Sequence, residues 1–231
     1  PLRPREVSWW REVLGDGQEC ARLVETFGSP VNVVNPAPMR DNIDELVRAG
    51  AAAGVETKVF FARKANKALV FADEAREMGH GVDVASENEL RIALAADFPP
   101  ARITVHGNNK SASFLRLCVE SGVGHVVIDS RQELAELAAI AAQLGAVQDV
   151  FVRVKPGVDA HTHEFIATSH EDQKFGISLA SGDAYEAARD AIASPHLELT
   201  GLHAHVGSQV FDAEGFKGVK DYVEQQIEEQ S

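Results

Sequence analysis

A parallel α/β barrel is the fold class this sequence predicts, and three observations carry the prediction. Short apolar runs of strand type recur along the chain at intervals of about 20 to 25 residues, the rhythm of βα units. Amphipathic stretches with helical spacing fill the intervals. No glycine-rich GxGxxG string follows the early strands, so a dinucleotide-binding sheet is disfavoured and a barrel is the better solution.

The strand runs fall at 58–62, 81–85, 103–106, 125–128, 150–154 and 199–206. Between the fourth and fifth lies a helical stretch in which Leu134, Leu137, Ala138, Ala141 and Leu144 share one face. Ser130 and Glu133 form a capping box at its start, and Gly145 stands where the helix should stop. Ser86 with Glu89 repeats the capping box, and Gly79 and Gly122 end two further helices. The gap before the sixth run is roughly double the others. It holds a polar, histidine-rich segment at 157–176 and a helix near 184–193. An earlier apolar run, 31–34, reads as a flanking strand before the barrel. The expected organisation is thus an N-terminal segment at 1–45 and a partial barrel at 46–231. A closed eight-stranded barrel needs two more units than the six visible here.

Composition narrows the function. With 45% hydrophobic and 25% charged residues, the chain is an ordinary globular one. A net charge of −13 argues against nucleic acid as a partner, because a phosphate backbone needs a basic face. It leaves room for a small anion, which needs only a local cluster of donors. No apolar run has the length of a membrane span, and the N-terminus has no apolar signal core. The two cysteines, Cys20 and Cys118, are far apart and read as thiols in a reducing compartment, which favours the cytoplasm. The chain does not begin with Met, which reads as a trimmed or partial chain.

In a barrel, function sits at the C-terminal strand ends. Lys64 follows the first strand run, and partial desolvation at such a mouth lowers a lysine pKa and frees its amine to attack an aldehyde. A surface lysine is the plain alternative. Asn66 can punctuate the following turn, and Asp83 ends the next strand. His203 and His205 share one face of the sixth strand, since side chains alternate with period two. They fit either a metal-binding pair, as in a metal-dependent barrel hydrolase, or one ring stacked on something flat beside a structural partner. The following Val206-Gly207-Ser208-Gln209 favours stacking, because a Gly-Ser turn offers backbone N–H groups and a hydroxyl to a phosphate. His161 and His163 read as solvated loop residues.

Six strings, taken together and in order, resemble the diaminopimelate decarboxylase family, a branch of the barrel-type pyridoxal-phosphate decarboxylases that includes ornithine decarboxylases. They are Lys64-Ala65-Asn66, the 81–86 segment with Asn88-Glu89-Leu90, His106-Gly107-Asn108-Asn109-Lys110-Ser111, Asp159-Ala160-His161-Thr162-His163, Lys174-Phe175-Gly176, and Gly201 through Gln209. The resemblance implies a (β/α)8 TIM barrel of the alanine-racemase type, with about six of eight units represented and the family's C-terminal β domain absent. It implies pyridoxal 5'-phosphate as cofactor and meso-diaminopimelate, or a related basic amino acid, as the small-molecule substrate. A homodimer is implied for the full-length family.

By the same resemblance, Lys64 forms the Schiff base and His205 stacks on the pyridine ring. Ser208 and the Gly207 backbone contact the phosphate. Glu89 pairs with the pyridine nitrogen, so that the ring acts as an electron sink. Asp83 and Arg153 support the network around the lysine. Glu89 also has a purely structural reading as a capping residue, and Arg153 one as a strand-end ion pair.

The sequence departs from the family pattern at Arg63, where a small apolar residue is usual, at Lys67, and over 32–38. The resemblance also predicts a fragment or one part of a split enzyme, which alone should decarboxylate poorly. An amino-acid racemase, a metal-dependent hydrolase using His203 and His205, and a partner-binding remnant are the alternatives.

Overall fold

The computed structural model describes residues 7–155 and 175–205, which divide into two compact units at Pro38/Met39. The first unit contains two helices, α1 (Ser8–Gly15) and α2 (Gly17–Phe27). Asp16 caps α2 by accepting hydrogen bonds from the Gln18 and Glu19 backbone N–H groups, each at 3.0 Å. Residues 31–34, expected as a flanking strand, form none. The apolar alternation there has no strand to pair with, and alternation alone does not make a sheet.

The second unit is an all-parallel sheet wrapped by helices. After α3 (Ala37–Ala52), the order is β1 (Phe60–Ala62), α4 (Leu69–Glu77), β2 (Gly81–Val84), α5 (Glu87–Ala95), β3 (Ile103–Val105), α6 (Ala112–Ser121) and β4 (His125–Ile128). Then follow α7 (Arg131–Leu144), β5 (Gln148–Lys155), β6 (Ile177–Ser178), α8 (Asp183–Ala193) and β7 (Leu197–Ala204). Neighbouring strands pair in the order β1-β2-β3-β4-β5, and β7 pairs with β5 over nearly its whole length. All six expected strand runs are present. The short β6, which pairs only with Val154 and Lys155, is an addition. Two residues are too few to carry a periodic signal. The architecture is an α/β partial barrel.

Local rules explain the helices. Ser86, Ser111 and Ser130 each accept the backbone N–H three residues on. Gly122 and Gly145 end α6 and α7 in the left-handed conformation that glycine adopts without strain. Alternate strand residues then build two interiors. Val82, Val84, Ile103, Val105, Val126, Ile128 and Val150 are fully buried against helix residues such as Leu90, Leu115 and Leu137. The other face carries Phe60, His125 and Phe151. His125 stacks on Phe151 at 4.3 Å, and Phe60 meets His125 edge-on at 6.4 Å. A Cβ on Gly81 would collide with the Phe60 ring and lie 2.6 Å from the Arg102 carbonyl oxygen, so the ring's space depends on that glycine.

Candidate active site

The face that carries the Phe60–His125–Phe151 rings continues upward to the C-terminal strand ends. Phe61 points the other way and stacks on Phe71 of α4 at 5.5 Å. The alternation leaves Ala62 on the inner face, and Lys64 follows in the turn after β1. Lys64 is exposed, so the desolvation expected for it is not supplied by the described residues. Asn66 closes the turn, its side-chain oxygen accepting the Ala68 N–H at 2.9 Å.

Strand register brings the partners together. Ala62 lies beside Asp83, and Asp83 beside Thr104. His106, just past β3, donates its backbone N–H to the Val84 carbonyl at 2.8 Å, and its Nε2 lies 3.5 Å from Asp83 Oδ2. Across the barrel, Arg153 of β5 is in register with His203 of β7. The His203 ring meets the His106 ring edge-on at 4.8 Å. Arg153 Nε lies 3.8 Å from Asp129 Oδ1, and the Arg153 guanidinium sits 4.7 Å from the Phe175 ring centre. Gly176, at φ +80°, donates its N–H to Asp129 Oδ1 at 2.9 Å. A Cβ on Gly176 would lie 3.2 Å from the Arg153 carbonyl oxygen, so this close approach requires glycine.

The electrostatics follow from burial. Asp83 is pushed up to about 6 by burial, against the opposing pull of Lys64 and Arg153. His106 is driven down to about 3, first by burial and then by His203, Arg153, Lys110 and Lys64. His203 falls to about 4 by burial, helped by Arg153, His205 and Lys64, and its Nδ1 is buried without a hydrogen-bond partner. Burial also lowers His205, with Arg153 and Lys64 adding to the effect. Asp129 is raised by burial against the pull of Arg153. The mouth thus combines a reachable amine, a guanidinium, two carboxyls and neutral imidazole rings. That set suits a flat anionic aldehyde: the amine can bond to it, the guanidinium can offset its charge, and the rings offer a stacking face. The unpartnered His203 Nδ1 is a polar atom at the same mouth still lacking a contact.

Lys64, Asp83, Arg153 and His205 therefore share one end of the barrel. Gly207 and Ser208 lie outside the described residues, as do His161 and His163. Glu89 is engaged within the local fold. Its Oε2 accepts the Ala85 N–H at 2.8 Å, its Oε1 pairs with Lys67, and its own N–H donates to Ser86. Both oxygens are engaged at the start of α5, and none of these contacts joins the Asp83–Arg153 cluster. Two contributors had no role assigned from sequence, His106 and Asp129. His106 ends a strand run and Asp129 directly follows one, which is the signal that could have found them. Among the described residues, no three metal-ligating side chains converge.

Comparison with known proteins adds the following. Residues 40–230 match the family described as pyridoxal-dependent decarboxylase, pyridoxal binding domain. The diaminopimelate decarboxylase of Corynebacterium efficiens is 58% identical over 84% of this chain and 42% of its own length. That of Bacillus subtilis is 40% identical over 87% of this chain and 46% of its own. The chain therefore spans about half the length of the curated relatives it matches. Among solved structures, a diaminopimelate decarboxylase from M. jannaschii in complex with L-lysine superposes with a TM-score of 0.79 at 30% identity, over 92% of this chain and 51% of that one.

Proposed function

This chain belongs to the pyridoxal-dependent decarboxylase family, and from that premise we propose that it is the pyridoxal-phosphate-binding half of an amino-acid decarboxylase acting on meso-diaminopimelate. The convergence of Lys64, Asp83, Arg153, His203 and His205 on one barrel mouth is the observation that carries the reading. The names of the relatives support the substrate. The hydrolase and racemase alternatives are not favoured, because the relatives reported above are decarboxylases.

In this reading Lys64 supplies the amine that holds the aldehyde. When bound there, pyridoxal phosphate would supply the electron sink that such a decarboxylation needs. His205 would offer its ring to the cofactor, and burial, which lowers its pKa, favours the neutral form of that ring. Arg153 offsets negative charge at the mouth and is itself oriented by Asp129. Asp83, raised to about 6, sits where it can hold or release a proton near neutral pH beside the Lys64 amine. Gly207 and Ser208 would meet the phosphate.

The reading extends to a homodimer in the cytoplasm. The resemblance supports the dimer, and the free thiols of Cys20 and Cys118 support a reducing compartment. The test of substrate is spectroscopic. The chain loaded with pyridoxal phosphate is titrated with meso-diaminopimelate, ornithine and arginine. A change in the cofactor's absorbance at lower concentration with meso-diaminopimelate is expected. Equal response to all three would overturn the substrate assignment.

A further inference from the structure

Arg63 and Lys67 flank the lysine turn, and the proposed reaction uses neither. Arg63 is only 2% exposed, a buried guanidinium on the helix-facing side of β1. Its Nη2 donates to the Lys67 carbonyl at 3.1 Å, while Nε and Nη1 are buried without partners. Its backbone N–H donates to the Asp83 carbonyl at 3.0 Å. Lys67, from the far end of the same turn, pairs with Glu89, whose other oxygen is fixed by the Ala85 N–H. Arg63 thus ties the turn to itself and to β2, and Lys67 ties it to the first turn of α5.

The same construction occurs a second time. Asn66, Lys67, Gly79, Ser86 and Glu89 recur, in order and at nearly constant offset, as Asn109, Lys110, Gly122, Ser130 and Glu133. The contacts recur as well. Lys110 follows β3 as Lys67 follows β1, and it reaches the capping-box glutamate of the helix after the next strand. Its ammonium has three acceptors: Gly107 O at 2.6 Å, Val127 O at 2.8 Å and Glu133 Oε1 at 2.6 Å. Glu133 Oε1 also accepts the Asp129 N–H at 3.3 Å, as Glu89 accepts that of Ala85. Each clamp closes the loop that delivers one residue of the mouth, Lys64 in one case and His106 in the other. They differ in burial: the Lys110 side chain is 1% exposed and that of Lys67 is 67% exposed. The first clamp can therefore be altered without opening the core.

The geometry points to Lys67 and Glu89, braced by Arg63, as positioning residues that fix the turn bearing Lys64 and set how readily its amine reaches the aldehyde. This rests on Lys64 being the aldehyde-bearing lysine. A carboxylate that loses its paired cation while staying buried no longer holds the turn, whereas another cation at the same site restores the tie.

The test uses the whole chain with Lys67→Gln and Lys67→Arg, and two readouts. In Lys67→Gln, amide hydrogen exchange across residues 63–68 should accelerate about tenfold without cofactor, the response to losing a charge-assisted hydrogen bond. The absorbance band of lysine-bound pyridoxal phosphate should form about fivefold more slowly, and Lys67→Arg should restore both readouts to within about twofold of the parent. Unchanged exchange in Lys67→Gln overturns the clamp. Faster exchange with an unchanged band, or a band not restored by Lys67→Arg, overturns the positioning role. If the parent itself forms no band, the proposed function fails, while the exchange measurement still judges the clamp.

Discussion

His106, His203 and Asp83 form a partly buried group, and burial is the first cause that disfavours charge on each of them. His203 Nδ1 has no partner, and Arg153, His205 and Lys64 all disfavour its protonation. This has a consequence for stability. His106 and His203, lowered from 6.5 to about 3 and about 4, contribute stability that is complete above pH 6.5 and is lost as pH falls towards those values. Asp83, raised from 3.8 to about 6, works in the opposite sense: its contribution is present below 3.8 and lost as pH rises through about 6. The contribution of His203 is isolated by difference. His203→Asn should lose less stability than the parent between pH 7 and pH 4.5, measured as the change in melting temperature. Equal losses would contradict the buried, neutral imidazole. Lys64 and Asp83 were singled out by their strand-end positions and Arg153 by the family resemblance, and the structure places all three at the same end of the sheet. The contact of His106 with His203 was not, because it depends on how distant strands are brought face to face. Glu89 could be read two ways, and the structure gives it the capping geometry together with a lysine that spacing does not predict.

Capping boxes were the most legible feature at the scale of elements. Ser130 and Glu133 predicted the start of α7, and Gly145 its end. The box also reaches into tertiary structure, since Glu133 receives Lys110 from the loop after β3. Ser130→Ala should therefore destabilise the protein by about 1 kcal/mol or somewhat more, at the upper part of the range for lost N-caps. Urea unfolding checks this, with a lower midpoint and an unchanged slope expected. The strand at 31–34 failed for a reason of the same scale. A strand is stabilised by its neighbours, and no neighbour is signalled in the local sequence. The two-residue β6 has no signal in the sequence because it is defined by its pairing with Val154 and Lys155.

For the whole molecule, parallel strands that deliver Lys64, Asp83, His106, Asp129, Arg153 and His203 to one end account for the site more fully than any single motif does. The fold class was legible because strand and helix signals alternate regularly, and because the barrel rule says which end matters. The paired clamps were not legible in advance, since the repeat is carried by a handful of residues within two βα units and shows itself through its contacts. The central claim is that Lys64 is the residue that takes pyridoxal phosphate. It is tested most directly by adding pyridoxal phosphate to the chain, reducing with borohydride, and mapping the labelled peptide by mass spectrometry. The account predicts a pyridoxyl group on Lys64 together with an absorbance band that Lys64→Ala abolishes. Label on Lys67 or Lys110 instead, or a band that survives Lys64→Ala, would contradict it.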